Sequence, residues 1–224
     1  MRQHVIVFDV NETLLDIEIL GPFFARTFGD ARVMRQWFSE LILYSQALTL
    51  SGEYVSFGSL AVAVLNMVAA IRGISIAPGD IDDFKDHMSR LPAHPDVVPA
   101  LELLRDAGFR MVTLTNSAPD AGRAVLQKAG LHQYFDRQFS VDMVRRFKPA
   151  PETYASVASA LGADASTLRL VAAHTWDTLG ALTAGWKAAL LTRPGNASLP
   201  VGQQPDIIDQ DLLALARKII STDQ

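Results

Sequence analysis

The 224-residue chain contains no cysteine. Disulfides, thiolate-bound zinc and a cysteine nucleophile are therefore excluded. Long apolar runs are also missing. Nothing approaches the ~18 unbroken apolar residues of a membrane span. The nearest, "LAVAVLNMVAAI" at 60–71, is too short. The opening "MRQHVIVFDV" lacks the apolar stretch of a signal peptide and runs straight into an acid. Charge of one sign is scarce too: 20 Lys and Arg face 24 Asp and Glu, with no long basic run. That argues against nucleic acid or an anionic membrane as partner. Internal repeats and low-complexity linkers are absent. A cytoplasmic globular protein acting on a small molecule is the expectation, and a composition 49% hydrophobic and 20% charged agrees with it.

The sequence offers apolar, β-branched runs at Val5–Val10, Met111–Thr115, Leu168–Ala173 and Ala188–Thr192, with a weaker one at Pro205–Ile208. Runs apolar on both faces suit strands of a parallel sheet covered on both sides. Helical patterns separate them at Pro95–Gly108, Pro119–Gly130, Pro151–Gly162 and Thr178–Gly185. In the second of these, Ser117 is placed to cap, Pro119 fits the first turn, and Gly130 can supply a left-handed C-terminal residue. Alternating strands and helices predict an α/β fold with a doubly wound parallel sheet. Residues 16–90 break the alternation. They carry only helical patterns, such as "ARVMRQWFSELILYSQAL", and predict a helical module inserted between residues 1–15 and a core resumed at 91–224. The stretch "RPGNASLPVGQQP", 193–205, reads as a surface loop.

Open parallel sheets bind ligands at the carboxyl ends of their strands. The first strand ends in Asp9. The second ends in Thr115, Asn116 and Ser117. The run at Leu168–Ala173 leads into "AAHTWD", 172–177. Lys148 lies in "RRFKPAPETY", before a proline-opened helix. An aspartate at a strand end, held by backbone N–H groups and a lysine, can be an ionised nucleophile. Taken singly, each feature has an ordinary explanation as a turn, a cap or solvated surface. Their convergence on one edge favours a site.

Four stretches, "FDVNETLLD", "TLTNS", "KPAPETY" and "AAHTWD", resemble in order the four motifs of the haloacid dehalogenase superfamily. The resemblance spans nearly the whole chain and is strongest to the type II 2-haloacid dehalogenases. It implies a Rossmann-like core, with residues 16–90 as a helical cap. Two substitutions separate this chain from the superfamily's phosphatases. Their general acid, two residues after the nucleophile, is Asn11 here, which has no ionisable proton to give. Their fourth motif carries an extra acid where Ala173 stands, leaving Asp177, too few oxygen ligands for octahedral magnesium. No cofactor and no metal are expected.

The resemblance further implies roles. Asp9 attacks the halogen-bearing carbon and forms an ester that water hydrolyses. Lys148 keeps Asp9 ionised, Thr13 orients it, and Asp177 helps activate water. Thr115 and Asn116 contact substrate. Val10, Asn11 and Tyr154 line the pocket; Trp176 lines it or packs in the core. Phe57, from "EYVSF", forms a wall. The family's halide-binding arginine aligns with Phe38, and Arg35, one helical turn earlier, is the candidate for its role; a solvated cap residue is the alternative. The water-handling Ser and Asn of the fourth motif are Ala172 and His174 here. His174 is either a general base, its tautomer fixed by Asp177, or a structural histidine bonded to backbone. A homodimer through the cap helices is a further implication, with packing inside the cap as the alternative. A phosphatase on a small phosphate ester and a non-catalytic ligand-binding protein are the competing readings.

Overall fold

The computed structural model of the protein describes residues 4–223. The chain divides into two compact units, Met1–Asp16 with Pro92–Gln224, and Ile17–Leu91.

The first unit is built on a six-stranded sheet among the described residues: β1 (Val5–Phe8), β2 (Arg110–Thr115), β3 (Arg137–Ser140), β4 (Leu168–Ala172), β5 (Lys187–Leu191) and β6 (Ile207–Asp209). All pairings are parallel and the spatial order is β3-β2-β1-β4-β5-β6. The chain starts in the middle, winds outward one way, then returns to wind the other way, so the switch point lies between β1 and β4. Every side chain of β1 is buried, as strands covered on both faces require. On one face Val5, Val7, Val112, Leu114, Leu168 and Leu170 pack with Tyr154, Val157 and Trp186. Each such large apolar side chain contributes about 1.5–3 kcal/mol by leaving water.

The helical unit holds α1 (Gly21–Phe28), α2 (Val33–Ser51), α3 (Phe57–Ile71) and α4 (Pro78–Met88), and no strand among its residues. Phe23, Phe24, Trp37 and Phe84 form its aromatic centre, with Trp37 and Phe84 ring centroids 5.1 Å apart in an edge-on arrangement. The Trp37 indole N–H donates to the Ala61 carbonyl at 3.0 Å and ties α2 to α3. The remaining helices belong to the first unit: α5 (Val97–Asp106), α6 (Pro119–Lys128), α7 (Pro151–Leu161), α8 (Thr175–Thr183) and α9 (Leu212–Asp223). Among the described residues no helix is long and apolar enough to cross a membrane.

The structure differs from the sequence reading in three places. β3, "RQFS", was not expected: it is an edge strand in which only Phe139 and Ser140 are buried, so it carries no apolar run. α8 starts at Thr175 rather than Thr178, which puts Asp177 in its first turn. Ser117 does not cap α6; Ala118 occupies that position and makes no side-chain bond. The Ser117 carbonyl instead accepts from the Ser140 hydroxyl at 2.7 Å, tying the end of β2 to the end of β3.

Candidate active site

The backbone N–H of Asp9 donates to the Val171 carbonyl at 3.0 Å, so the β1–β4 pairing runs one residue past the strand and delivers Asp9 at the switch point. The chain then turns sharply: the N–H groups of Leu14 and Leu15 both donate to the Val10 carbonyl. This turn is clamped from outside. Arg193, two residues past the end of β5, donates to the Thr13 carbonyl from Nε and Nη2 and forms a two-pronged pair with Asp96, each contact to that carboxylate 2.8 Å. Asp96 in turn accepts the Leu212 N–H at the start of α9. Burial works to raise the Asp96 carboxyl, but the bonds from Arg193 and Leu212 outweigh it and hold it below its ordinary value. The Arg193 side chain is therefore interior, although its loop reads as surface.

Within the clamped turn, Asp9 is buried and bonded through both oxygens. Oδ2 accepts from the Thr13 hydroxyl at 2.6 Å, and Oδ1 lies 2.7 Å from Lys148 Nζ. The Thr13 hydroxyl oxygen also accepts the Ala173 N–H at 2.9 Å, linking motif one to motif four. Lys148 Nζ reaches Asp177 Oδ2 at 2.6 Å and donates to the Leu114 carbonyl at 3.1 Å, so one ammonium bridges two carboxylates. Asn116 Oδ1 accepts the backbone N–H of Lys148, and Tyr154 donates its hydroxyl proton to Asp177 Oδ1 at 2.6 Å. Burial would raise the Asp9 carboxyl, yet the Lys148 charge and the adjoining His174 imidazole together hold it well below the usual carboxylate range. Asp177, more deeply buried and facing Asp9, is pushed up. Lys148 is raised despite burial, because both carboxylates favour its charged form.

His174 follows β4. Its ring stacks on Trp176, centroids 4.9 Å apart and planes 18° from parallel. Nδ1 lies 3.4 Å from Asp9 Oδ2, and Nε2 lies 2.7 Å from Glu12 Oε2. Burial alone would lower this imidazole, but Asp9 and Glu12 raise it to about 9. The expected partnership of His174 with Asp177 is thereby corrected. Asp177 is engaged by Lys148 and Tyr154, and the carboxyl on the imidazole belongs to Glu12.

Ten of the residues named from sequence come together here: Asp9, Val10, Asn11, Thr13, Asn116, Lys148, Tyr154, His174, Trp176 and Asp177. Asn11 donates to the Ser117 hydroxyl at 3.4 Å. Thr115 sits at the carboxyl end of β2, its hydroxyl accepting the Ser117 N–H. Tyr154 stands behind Asp177, fully buried, rather than on a wall. Arg35 and Phe57 lie in the helical unit. Arg35 pairs with Glu18, and Phe57 is the buried first residue of α3, whose N-terminus Ser56 caps. Sequence reasoning missed Glu12, Asn196, Arg193 and Asp96. The signal available for Arg193 was its place at the carboxyl end of a strand, the same signal that singled out Asp9. Among the described residues no group of three or more His, Asp or Glu side chains is arranged to hold a metal. The two carboxylates nearest that role already share the Lys148 ammonium, and Ala173 adds no third, so the donor set does not fit magnesium.

Residues 4–185 match the model of the haloacid dehalogenase-like hydrolases. The chain belongs to this family. An (S)-2-haloacid dehalogenase of Xanthobacter autotrophicus is 30% identical over 196 residues, 87% of this chain and 77% of that protein. The L-2-haloacid dehalogenase of Xanthobacter autotrophicus solved with chloropropionic acid covalently bound superposes with a TM-score of 0.89, at 25% identity, over 99% of this chain and all of the other. A probable phosphatase of Dickeya dadantii is 40% identical, but over 98 residues, 44% of this chain and 43% of the relative. The protein is a hydrolase similar over most of its length to 2-haloacid dehalogenases.

Proposed function

We propose that this hydrolase cleaves the carbon–halogen bond of a short 2-haloacid through an ester on Asp9, without a metal. The observation that carries the reading is the buried pair of Asp9 and Lys148, with Asn11 where a phosphatase would keep its acid. A carboxylate held ionised and stripped of water is a capable nucleophile toward a carbon bearing a good leaving group. Halide departs without protonation, so Asn11 serves as well as an acid would.

In the first step one Asp9 oxygen bonds to the substrate carbon and the carbon–halogen bond breaks, releasing halide. Asn116 spends its carbonyl oxygen on Lys148, which leaves its amide N–H groups to hold the substrate carboxylate. In the second step water attacks the Asp9 carboxyl carbon. The product takes away an oxygen that began on Asp9. Asp177, tied up by Lys148 and Tyr154, serves to hold the lysine, and His174 takes the water proton.

Halide release from chloro-, bromo- and fluoroacetate and both 2-chloropropionate enantiomers, with and without EDTA, tests this. Release unaffected by EDTA is the expected result. The partial likeness to a probable phosphatase favours a second reading, for which phosphate release from small esters that needs Mg²⁺ would be the signature.

A further inference from the structure

We propose that Glu12 is a positioning residue: steadied by Asn196, it holds His174 through Nε2 so that Nδ1 faces the Asp9 carboxyl group and serves the hydrolysis of the ester. The proposal rests on the dehalogenase reading and adds a residue to it. Four observations converge. The Glu12 side chain is buried, with Oε2 2.7 Å from His174 Nε2 and Oε1 accepting from the Asn196 amide at 3.0 Å. The Glu12 backbone has φ +66°, a left-handed conformation that side-chain-bearing residues seldom adopt and that glycine would accept freely. A glutamate kept where the backbone favours glycine, and where its carboxyl must be buried, points to a role for that carboxyl. The turn itself is fixed on both sides, since the Glu12 carbonyl lies 3.1 Å from His94 Nε2 while Arg193 grips the next carbonyl. Trp176 fixes the imidazole plane, so with Nε2 committed to Glu12, Nδ1 has one direction left.

The chemistry follows from charge. In the resting enzyme His174 faces Asp9 and Glu12, with Lys148 on the other oxygen of Asp9 and 5.8 Å from the Trp176 ring centroid, and Asp177 bonded to that lysine. Asp9 and Glu12 together keep the imidazole protonated. Alkylation turns Asp9 into a neutral ester. The imidazolium then faces a single carboxyl, and its Nδ1 proton is released to solvent as halide leaves. The neutral ring donates Nε2–H to Glu12 and presents its Nδ1 lone pair. Water bonds to the Asp9 carboxyl carbon and gives its proton to Nδ1. The bond from that carbon to the substrate-bearing oxygen breaks, and this oxygen takes the proton from Nδ1 to leave as the hydroxyl of a 2-hydroxy acid. The regenerated Asp9 carboxyl returns its proton to Nδ1, restoring the resting pair. Over the cycle one halide, one proton and one hydroxy acid leave for each haloacid and water consumed.

The test is Glu12→Gln and Glu12→Gly in the full chain, each alone and combined with His174→Ala. Two readouts are used: NMR titration of His174 without substrate, and quench-flow mass spectrometry of the Asp9 ester with 2-chloropropionate. In Glu12→Gln the His174 midpoint falls from about 9. Halide still appears in a first-turnover burst, and the ester decays about 10²-fold more slowly, the low end of what general-base assistance supplies. Adding Glu12→Gln to His174→Ala slows decay no further, because Glu12 acts through the imidazole. Glu12→Gly, which relieves the left-handed backbone, shows the same ester accumulation and covers the case in which the glutamine variant folds badly. A His174 midpoint and ester lifetime unchanged in both variants would overturn the proposal, as would an equal slowing in the His174→Ala background. If the parent releases no halide from any haloacid, the dehalogenase reading fails and the catalytic half of this proposal falls with it. The titration, read without substrate, still decides whether Glu12 holds the imidazole.

Discussion

Lys148 Nζ stands 2.7 Å from Asp9 Oδ1, and both side chains are buried. Because the same ammonium also binds Asp177 at 2.6 Å, removing it leaves Asp177 without a counter-charge and Asp9 with only the imidazolium of His174, which it shares with Glu12. Lys148→Met should destabilise the protein at pH 7 by about 3–5 kcal/mol, the usual cost of orphaning a buried charge. The loss should shrink toward pH 5, where one carboxyl of the variant takes up a proton and the repulsion ends. Urea unfolding at the two pH values measures this. Halide release at pH 7 should fall by at least about 10²-fold, as for other preorganised charge-stabilising groups.

The proposed ester makes Asp9 the atom source for the product. In single turnover in heavy-oxygen water, label should enter the Asp9 carboxylate, while the first hydroxy acid released carries an unlabelled Asp9 oxygen. Asp9→Asn should form no covalent adduct. Label in the product of the first turnover would mean that water attacks the substrate carbon directly, and the nucleophile would have to be reassigned.

What the sequence made legible were residues whose placement follows from backbone alone. Asp9 and Asn116 end strands that read as strands, and Lys148 sits just before a helix opened by prolines, so topology carries all three to one edge. Glu12 was printed inside the same motif yet stayed unread. A glutamate in a turn ordinarily faces water, and this one is drawn inward by His174 and Asn196, 162 and 184 residues away. The Gly- and Pro-rich composition of its loop masks Arg193 in the same way, and only its place at a strand's carboxyl end hints that its side chain turns in to reach Thr13. His174 and Asp177 are close in sequence but turn to different partners, Glu12 and Lys148. Asp177 lies in the first turn of α8 and faces Lys148.

Gly180 governs the far side of the site. A β-carbon there would lie 2.5 Å from the Tyr154 hydroxyl oxygen and 2.6 Å from Pro149 Cβ, closer than atoms pack. Tyr154 is the donor to Asp177 Oδ1. Gly180→Ala should therefore destabilise by about 1–3 kcal/mol through overpacking and displace Tyr154 from Asp177. Tyr154→Phe removes the same hydrogen bond without the added volume. If the bond is what matters, both variants slow ester formation, while Gly180→Ala, which adds the overpacking to the about 1–3 kcal/mol of the orphaned acceptor, unfolds more readily than Tyr154→Phe. Unfolding curves and first-turnover halide release on the two variants separate packing from hydrogen bonding.

His174 should leave its mark on stability as well as on rate. Its folded-state value, about 9, lies above its ordinary 6.5. The folded protein therefore holds this proton more tightly than the unfolded chain, and stability from the imidazolium is fully present below about pH 6.5 and is lost as pH rises through about 9. The contribution is on the order of 3 kcal/mol. Urea unfolding of the parent should weaken across that window, and His174→Ala should flatten the dependence while lowering stability at pH 6, where Asp9 and Glu12 lose their shared counter-charge. The same variant should still alkylate Asp9 but hydrolyse the ester about 10²–10⁴-fold more slowly, so the adduct becomes visible by mass spectrometry. His174→Asn, which restores the residue typical of the dehalogenase motif, should recover part of the turnover without recovering the pH dependence of stability, because an amide does not titrate. Parental turnover in His174→Ala with no adduct would make the histidine structural and return the task of activating water to Asp177.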